Sequence, residues 1–563
     1  MKKYSSGYKL IFGYLGLFLI AIGLILLMPI IVSALFGIAP KYRGALNDVI
    51  NWWPAFAIPS IFSITLGSIL FFTLIFKKER ERLGKHQDSL LLTLIWLSAC
   101  LIGMTPFLLR NINFAQGWKI ENEFNFVSAL FESISGFSAS GLTVFDEAKL
   151  GPAELTSGNL ISTWSGYYIF VLYRSMLLFF GGVGLVLVVA SAISDRYGLN
   201  LYQSEGHNDK LTANLSSSAK LIFGIYFGYI FLGTIALIFA GMPVFDAVNA
   251  SIAALSTGGF FSRSCNIGFF ATGNNAELLY QGGLSLFPCN PMAIEIITMV
   301  LMILGATNFV THFLFITFKF KKAFNDNELK FFGIATLIFV PIIIVSMVLT
   351  TNEISWQGAS RYGIYTFISA ITTTGFSNTP VEISFSTEGT LPLFSTSGVF
   401  IVTALMFIGG GLGSTSGAVK QERIILALEG VYWNIRDRLA PKHLIQPRKT
   451  YRHGEMQTIE DKDIHEANSI IIMYLITLFI GTIAICWIYS PDLHLGMFQF
   501  MSALSGTGLS IDPNPFLALG QSTAQVGYMF ILMFGMFIGR LEITPVIFGA
   551  YRMVKDIFRK ETY

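Results

Sequence analysis

Four short segments of this chain share one arrangement of hydroxyl and glycine residues: Ser138-Ala139-Ser140-Gly141, Leu255-Ser256-Thr257-Gly258, Thr372-Thr373-Thr374-Gly375 and Ser505-Gly506-Thr507-Gly508. A Ser or Thr precedes each glycine, and the glycines stand 117, 117 and 133 residues apart. Six residues before the glycine comes Ser135, Ile252, Ser369 or Ser502, followed by a small residue, Gly136, Ala253, Ala370 or Ala503. The chemistry open to such segments is coordination by backbone. Glycine lets an extended strand aim its carbonyl oxygens at an axis, and four strands around that axis can replace the hydration shell of a dehydrated cation. A single copy would read as a loop turn or a small-residue packing patch. Recurrence at matched offsets argues for a fourfold repeat.

A second concentration of glycine, Gly409-Gly410-Gly411-Leu412-Gly413-Ser414-Thr415-Ser416-Gly417, lies where an apolar span should be helical. At about 1 kcal/mol per glycine relative to alanine, this run disfavours helix. The expectation is a flexible intramembrane loop beneath the four segments; a helix packed closely through its glycines is the other reading. No preceding strand and no Gly-Lys-Ser/Thr supports phosphate binding. The shorter run Gly181-Gly182-Val183-Gly184 reads as packing. Arg540 falls near the middle of the apolar stretch 524–551, where an unpaired charge costs at least about 2.5–3.5 kcal/mol. It is either an electrostatic barrier facing the axis or a structural arginine paired with carbonyls or with an acid of another repeat. Glu542 is a poor partner, since residues i and i+2 point to different helix faces.

Cys265 and Cys289 share one external segment. In an oxidising exterior they would close a 25-residue loop, worth roughly 3 kcal/mol in the chain-entropy account. Cys100 and Cys486 sit in apolar runs as small core residues. The chemistry of an enzyme is missing: there is no CxxC, no His/Asp/Glu cluster at metal-ligand spacing in the spans and no Gly-x-Ser-x-Gly elbow, and His312 stands alone.

The elements that must position these residues are set by composition. Of 563 residues 53% are hydrophobic and 13% charged, against about 25% charged in a soluble domain, so lipid is the solvent of most of the chain. A formal charge of +3, carried between apolar runs, gives no footprint for nucleic acid. Ten stretches are long enough to cross a ~30 Å core: 10–36, 54–76, 89–109, 168–194, 218–241, 292–318, 331–350, 395–419, 469–489 and 524–551. The first follows Lys2, Lys3 and Lys9 and is too long for a signal-peptide core. Loops 77–85, 319–322 and 420–466 and the C-terminus are rich in Lys and Arg, whereas 377–394 and 490–523 contain none. The basic side is cytoplasmic by the positive-inside rule, which puts both termini in the cytoplasm. Four apolar segments, 127–137, 245–255, 361–371 and 495–504, are too short to cross and lead into the glycine segments; they read as re-entrant helices. The expected fold is an all-α polytopic membrane protein. Two N-terminal helices (1–86) precede four span, pore-helix, filter, span repeats, 87–200, 201–325, 326–450 and 451–563, around a pseudo-fourfold pore.

On the four glycine loops, the run Phe407–Lys420, the run Gly535–Ile543, Asn308–His312 and Gly206–Leu211, the whole chain resembles the Trk/Ktr/HKT superfamily of cation transporters, and within it the Trk-type membrane subunits. The resemblance implies potassium uptake across the cytoplasmic (inner) membrane, with K+ as transported ion and no organic cofactor. It also implies a homodimer of protomers with separate pores, a cytoplasmic nucleotide-binding regulatory subunit, and a gate made of the glycine run and Arg540. The basic segment 420–466 is a candidate docking surface for that regulator, or a plain membrane-proximal loop. In the plant branch, sodium-permeable members carry Ser at the first filter glycine; Gly141 therefore favours potassium, with a sodium-permeable or cation-symporting relative as the alternative. Tyr173-Arg174 and Leu178-Phe179 depart from the family's Trp-Arg and Gln-Trp, and the segment Arg263–Pro291 is longer than the family leads one to expect.

Overall fold

The computed structural model describes residues 4–5, 7–76, 79–80, 87–113, 119–120, 124–145, 150, 164–183, 215–271, 273–350, 354–379, 395–439, 448–452, 455–489, 492–510 and 523–558. Gly184, the segment Gly206–Leu211, the basic residues Lys77, Lys78, Arg82, Lys85, Lys442, Arg559 and Lys560, and parts of loops 377–394 and 490–523 lie outside them. The helices are α1 (Gly7–Gly37), α2 (Arg43–Leu74), α3 (Gln87–Gly103), α4 (Thr105–Leu109), α5 (Phe126–Ser138), α6 (Tyr167–Val183), α7 (Leu215–Phe239) and α8 (Val244–Leu255). Next come α9 (Gly268–Ala271), α10 (Gly273–Gln281), α11 (Pro291–Gly305), α12 (Phe309–Ile316), α13 (Phe320–Phe324), α14 (Asn327–Thr350), α15 (Trp356–Ile371) and α16 (Thr396–Ile408). The last are α17 (Gln421–Leu439), α18 (Asp461–Tyr489), α19 (Leu493–Ser505), α20 (Thr523–Leu541) and α21 (Ile543–Phe558). The longest strands, Lys449–Arg452 and Glu455–Thr458, form an antiparallel hairpin between α17 and α18.

Among the described residues, seven helical stretches are long and apolar enough to cross a membrane, or eight if α11 and α12 count as one crossing. Besides 395–419, whose helix stops at Ile408, two expected spans are broken. The stretch 292–318 bends by 110° between α11 and α12. The stretch 524–551 is interrupted at Glu542, whose backbone is left-handed (φ 59), so Arg540 lies in the last turn of α20 and not in mid-helix. Small residues decide how closely the helices approach. In the N-terminal pair, a Cβ on Gly16 would lie 2.6 Å from the Gly67 carbonyl and one on Gly67 would lie 2.5 Å from that of Gly16. Ser60 and Ser63 donate across the same seam to Gly23 O and Leu19 O, each at 2.7 Å. Asp48 of α2 fastens this pair to the first repeat by accepting from Gly166 N (2.8 Å) and Tyr168 N (2.9 Å) at the start of α6.

The four re-entrant helices are α5, α8, α15 and α19, with 13, 12, 16 and 13 residues. At 1.5 Å per residue they cover only about 18–24 Å, too short to cross. Side-chain caps from Asn125 and Ser355 start α5 and α15, the latter five residues ahead of the apolar stretch that announced it. Their inner turns are buried, so these helices end in the middle of the molecule.

Candidate functional site

Each re-entrant helix ends in the same backbone motif. The amides of Ser140, Gly258, Thr374 and Thr507 return to the carbonyls of Ser135, Ala253, Ser369 and Ser502 at 2.9–3.0 Å, and those of Ala139, Thr257, Thr373 and Gly506 return to Gly136, Ala254, Ala370 and Ala503. This paired closure requires a left-handed residue, and the φ values are 54° at Ala139, 49° at Thr257, 55° at Thr373 and 67° at Gly506. Three of the four are not glycine, at a cost of roughly 1–2 kcal/mol each. Two residues on, the chain is left-handed again at Gly141, Gly259, Gly375 and Gly508, with φ of 79°, 73°, 80° and 81°.

The second segment is therefore out of the expected register by one residue. Gly259, and not Gly258, corresponds to Gly141, Gly375 and Gly508, and the equivalent tetrapeptide is Ser256-Thr257-Gly258-Gly259. Leu255 instead ends α8, where its carbonyl accepts from Thr415 Oγ1 at 3.0 Å. Two adjacent glycines left the sequence with a choice, and the hydrogen bonds that close the helix make it. In the observed register, Ala253 replaces Ile252 at the position of Ser135, Ser369 and Ser502.

The loops meet in chain order. A Cβ on Gly259 would stand 2.5 Å from the Thr374 carbonyl oxygen; one on Gly375 would overlap Thr507 O, one on Gly508 would overlap Ser140 O, and one on Gly141 would overlap Gly258 O. Every contact joins a left-handed glycine to the carbonyl just before the next loop's glycine. The four strands thus close a ring with no room for a side chain at these positions. All sixteen predicted residues lie at or beside this ring, with Leu255 set back in its helix.

Helix α16 stops at Ile408, and the predicted glycine loop follows as non-helical chain, so the close-packed helix is not what forms. Its base is tied by Val419 N to Phe407 O (3.3 Å), Lys420 N to Ile408 O (3.0 Å) and Gln421 N to Gly410 O (2.9 Å). One side rests in the break between α11 and α12: Gly411 N donates to Ala306 O (2.9 Å), Thr415 N to Gly305 O (3.2 Å) and Phe309 N to Gly413 O (3.2 Å). The Glu328 carboxylate accepts from Leu412 N at 2.7 Å. The tip touches three of the four loops. Thr415 Oγ1 meets Thr257 Oγ1 (3.2 Å), Gly417 N donates to Thr373 Oγ1 (2.9 Å), and a Cβ on Gly417 would overlap Ser505 O. Arg540 completes the contact with the first repeat. Its guanidinium donates to Thr415 O (3.1 Å), Gly182 O (2.8 Å) and Gly181 O. The arginine is thus paired with carbonyls of two repeats, and Glu542 pairs instead with Arg423 at 2.8 Å.

The sequence model of TrkH, described as a cation transport protein, matches residues 54–558. The chain belongs to the TrkH family. Among the relatives of this TrkH-family chain, a cation transporter of Methanocaldococcus jannaschii is 27% identical over 93% of this chain and 92% of its own. The Trk system potassium uptake protein TrkH of Halomonas elongata is 26% identical over 96% and 97%. The crystal structure of the potassium transporter TrkH from Vibrio parahaemolyticus superposes with a TM-score of 0.71 at 20% identity, covering 96% of this chain and 98% of that one. The shared fold is a nearly all-helical multi-pass membrane architecture.

Sequence reasoning missed the polar braces behind the TrkH-family loops. Glu132 of α5 is fully buried against Arg174 of α6 at 3.1 Å, accepts from Val144 N and Thr143 Oγ1 at 2.6 Å, and so fixes the strand that leaves the ring. Arg174 also lies over the Phe260 ring at 4.0 Å. In the second repeat Asp246 of α8 pairs with Arg263 at 3.0 Å, and in the third Arg361 of α15 makes a two-pronged contact with Glu295 of α11 at 2.7 and 2.8 Å. In the fourth, Gln499 donates to Ser510 Oγ at 2.9 Å. The available signal was a polar or charged residue inside each short apolar helix. Gly181 and Gly182 are packing glycines, as expected: a Cβ on the first would overlap Phe137 O, and one on the second would lie 2.8 Å from Ser256 Cβ. His312 is buried between Leu304 O (2.8 Å) and the Tyr229 hydroxyl (3.2 Å). Among the described residues no group of three or more His, Cys, Asp or Glu could hold a metal ion.

The structure does not join Cys265 to Cys289. Cys265 belongs to a left-handed turn with Asn266 (φ 60 and 56) close to the second loop, whereas Cys289 packs its backbone against Gly241 at the end of α7.

Proposed function

We propose that this chain carries potassium ions inward across the cytoplasmic membrane through the axis of the four loops. The single observation that supports this most is the closed ring in which each left-handed glycine abuts the carbonyl of the next loop. Left-handed residues at alternate positions turn successive peptide planes, so that carbonyl oxygens line one side of the strand instead of alternating. Such rings replace the hydration shell of a cation, and the backbone is shielded from lipid by the surrounding helices. Repeats 87–200, 201–325, 326–450 and 451–563 each supply one quarter, and the helices in 1–86 buttress the first.

Beneath the ring, Gly409, Gly410, Gly411, Gly413, Ser414, Thr415 and Gly417 form the gate, and Arg540 is its electrostatic half. A guanidinium held on Thr415, Gly181 and Gly182 carbonyls places positive charge where a potassium ion leaving the ring would pass. Opening requires those hydrogen bonds to break and the loop to leave its seat on Thr257, Thr373 and Ser505. The relatives named for Trk potassium uptake support the choice of ion. The same reading has both termini cytoplasmic, two chains per assembly with a pore each, and a nucleotide-binding regulatory subunit acting through segment 420–466.

The test is growth of a potassium-uptake-deficient host at limiting potassium, with flux measured by rubidium uptake. The wild type rescues growth, G141S loses discrimination against sodium, and R540A raises flux at equal surface expression. Equal sodium and potassium flux in the wild type would overturn the ion assignment, and unchanged flux in R540A would remove the barrier role.

A further inference from the structure

One surface element takes no part in the pathway: the sequence Phe318-Lys319-Phe320-Lys321-Lys322-Ala323-Phe324, which joins α12 to α14 through α13. Helix α12 ends with Phe318 N donating to Phe315 O (3.0 Å) and Lys319 N to Leu314 O (2.9 Å), and Phe318 takes the left-handed position (φ 57) that glycine normally fills. An aromatic residue there is strained, and Phe318 is 81% exposed, with Phe324 at 64%. The rings form one cluster: Phe315 lies 6.1 Å from Phe320 and 5.7 Å from Phe324, and Phe318 meets Phe320 edge-on at 5.9 Å. Exposed Ile316 continues the apolar patch back towards the span. Lys319, Lys321 and Lys322 are exposed and interleaved with the rings. Lys322 reaches Glu455 of the hairpin at 2.9 Å and holds that carboxyl below its usual range.

Aqueous exposure gives no reason to keep a strained phenylalanine and its neighbours outward. A membrane interface does: aromatic rings settle at the headgroup level, and interleaved lysines meet lipid phosphates. We propose that the α12–α13 elbow is a binding site for anionic phospholipid headgroups, with the phenyl rings at the acyl boundary and the lysines on the phosphates. The proposal rests on the reading that this basic side faces the anionic cytoplasmic leaflet. The elbow also has leverage on the gate. Helix α12 starts at the break whose residues Gly305, Ala306 and Phe309 hold the glycine loop by backbone hydrogen bonds, so a lipid that pins α12 in the interface fixes the seat of that loop.

The experiment uses the purified full chain in detergent, titrated with dioleoyl-phosphatidylglycerol or with dioleoyl-phosphatidylcholine, and reads bound lipid by native mass spectrometry. A lysine near an anionic surface is worth roughly fivefold in affinity. The wild type therefore binds the glycerol lipid more tightly than the choline lipid, and K319Q/K321Q/K322Q loses on the order of tenfold or more of the glycerol-lipid affinity. F318S/F324S weakens both lipids. Equal binding of the two lipids by the wild type, or undiminished phosphatidylglycerol binding by the triple-lysine variant, would overturn the site. Rubidium uptake by the same proteins reconstituted into proteoliposomes keeps the two readings apart: uptake without lipid preference sinks the site alone, and lipid preference without uptake sinks the transport reading alone.

Discussion

The register of the second loop can be tested by placing a methyl group on each of its adjacent glycines in turn. At Gly259 the backbone is left-handed (φ 73), and the new Cβ would stand 2.5 Å from Thr374 O, where ordinary contact begins at 3.4 Å. G259A therefore carries a conformational cost of roughly 1–2 kcal/mol. It must also push the Thr374 carbonyl back by about 0.9 Å, the difference between those two distances. A carbonyl withdrawn that far no longer matches the other three around a dehydrated ion. At Gly258 no positive φ stands in the way, and the atoms nearest the Cβ belong to the Leu178 side chain, at 2.6–3.0 Å. G258A then costs the roughly 1–3 kcal/mol of an overpacked core and leaves the ring carbonyls in place. The assay is rubidium uptake into proteoliposomes, competed by sodium and normalised to folded protein. G259A loses discrimination against sodium and G258A keeps it. Discrimination lost in G258A and kept in G259A would refute the register and the ring built on it.

Breaking one partner of the Glu132–Arg174 brace strands a buried charge, which costs about 3–5 kcal/mol. R174L should therefore lower the melting temperature more than E132L/R174L does; equal losses would show that the pair is not coupled. The hairpin reports on pH through Glu429 of α17, whose Oε1 accepts from Thr450 Oγ1 at 2.9 Å and whose carboxyl is raised above its usual range by burial. Because the folded state binds this proton more tightly than the unfolded chain, the charged form is the disfavoured one at neutral pH, and the penalty fades as pH falls through the raised pKa. E429Q should raise the melting temperature by on the order of 1 °C at pH 7.5 and have no effect at pH 4; the opposite trend would contradict the assignment.

Much of this architecture was legible because lipid imposes hard rules. Apolar length announced α1, α2, α7, α14 and α18, and segments too short to span announced α5, α8, α15 and α19, although α2 starts 11 and α18 eight residues ahead of their apolar stretches. Glycine content alone showed that the stretch after Ile408 would leave the helix. Where the reading failed, a local pattern had two solutions of similar quality. Gly258 and Gly259 both follow the hydroxyl pair, and an apolar count cannot detect that Ala306–Asn308 or Glu542 breaks a span. Glu132, Asp246 and Arg361 give no local sign of their partners, which lie 42, 17 and 66 residues away.

By itself, then, the sequence determined the membrane class, the fourfold repeat, the loops and the unwound span. These follow from the cost of exposing polar backbone to lipid and from the conformational freedom of glycine, both readable one residue at a time. Only the tertiary structure decided which glycine closes the ring, which carbonyls Arg540 holds and which charges brace the re-entrant helices. Each of these depends on contacts of about 3 Å that exist only once the loops and helices have packed together.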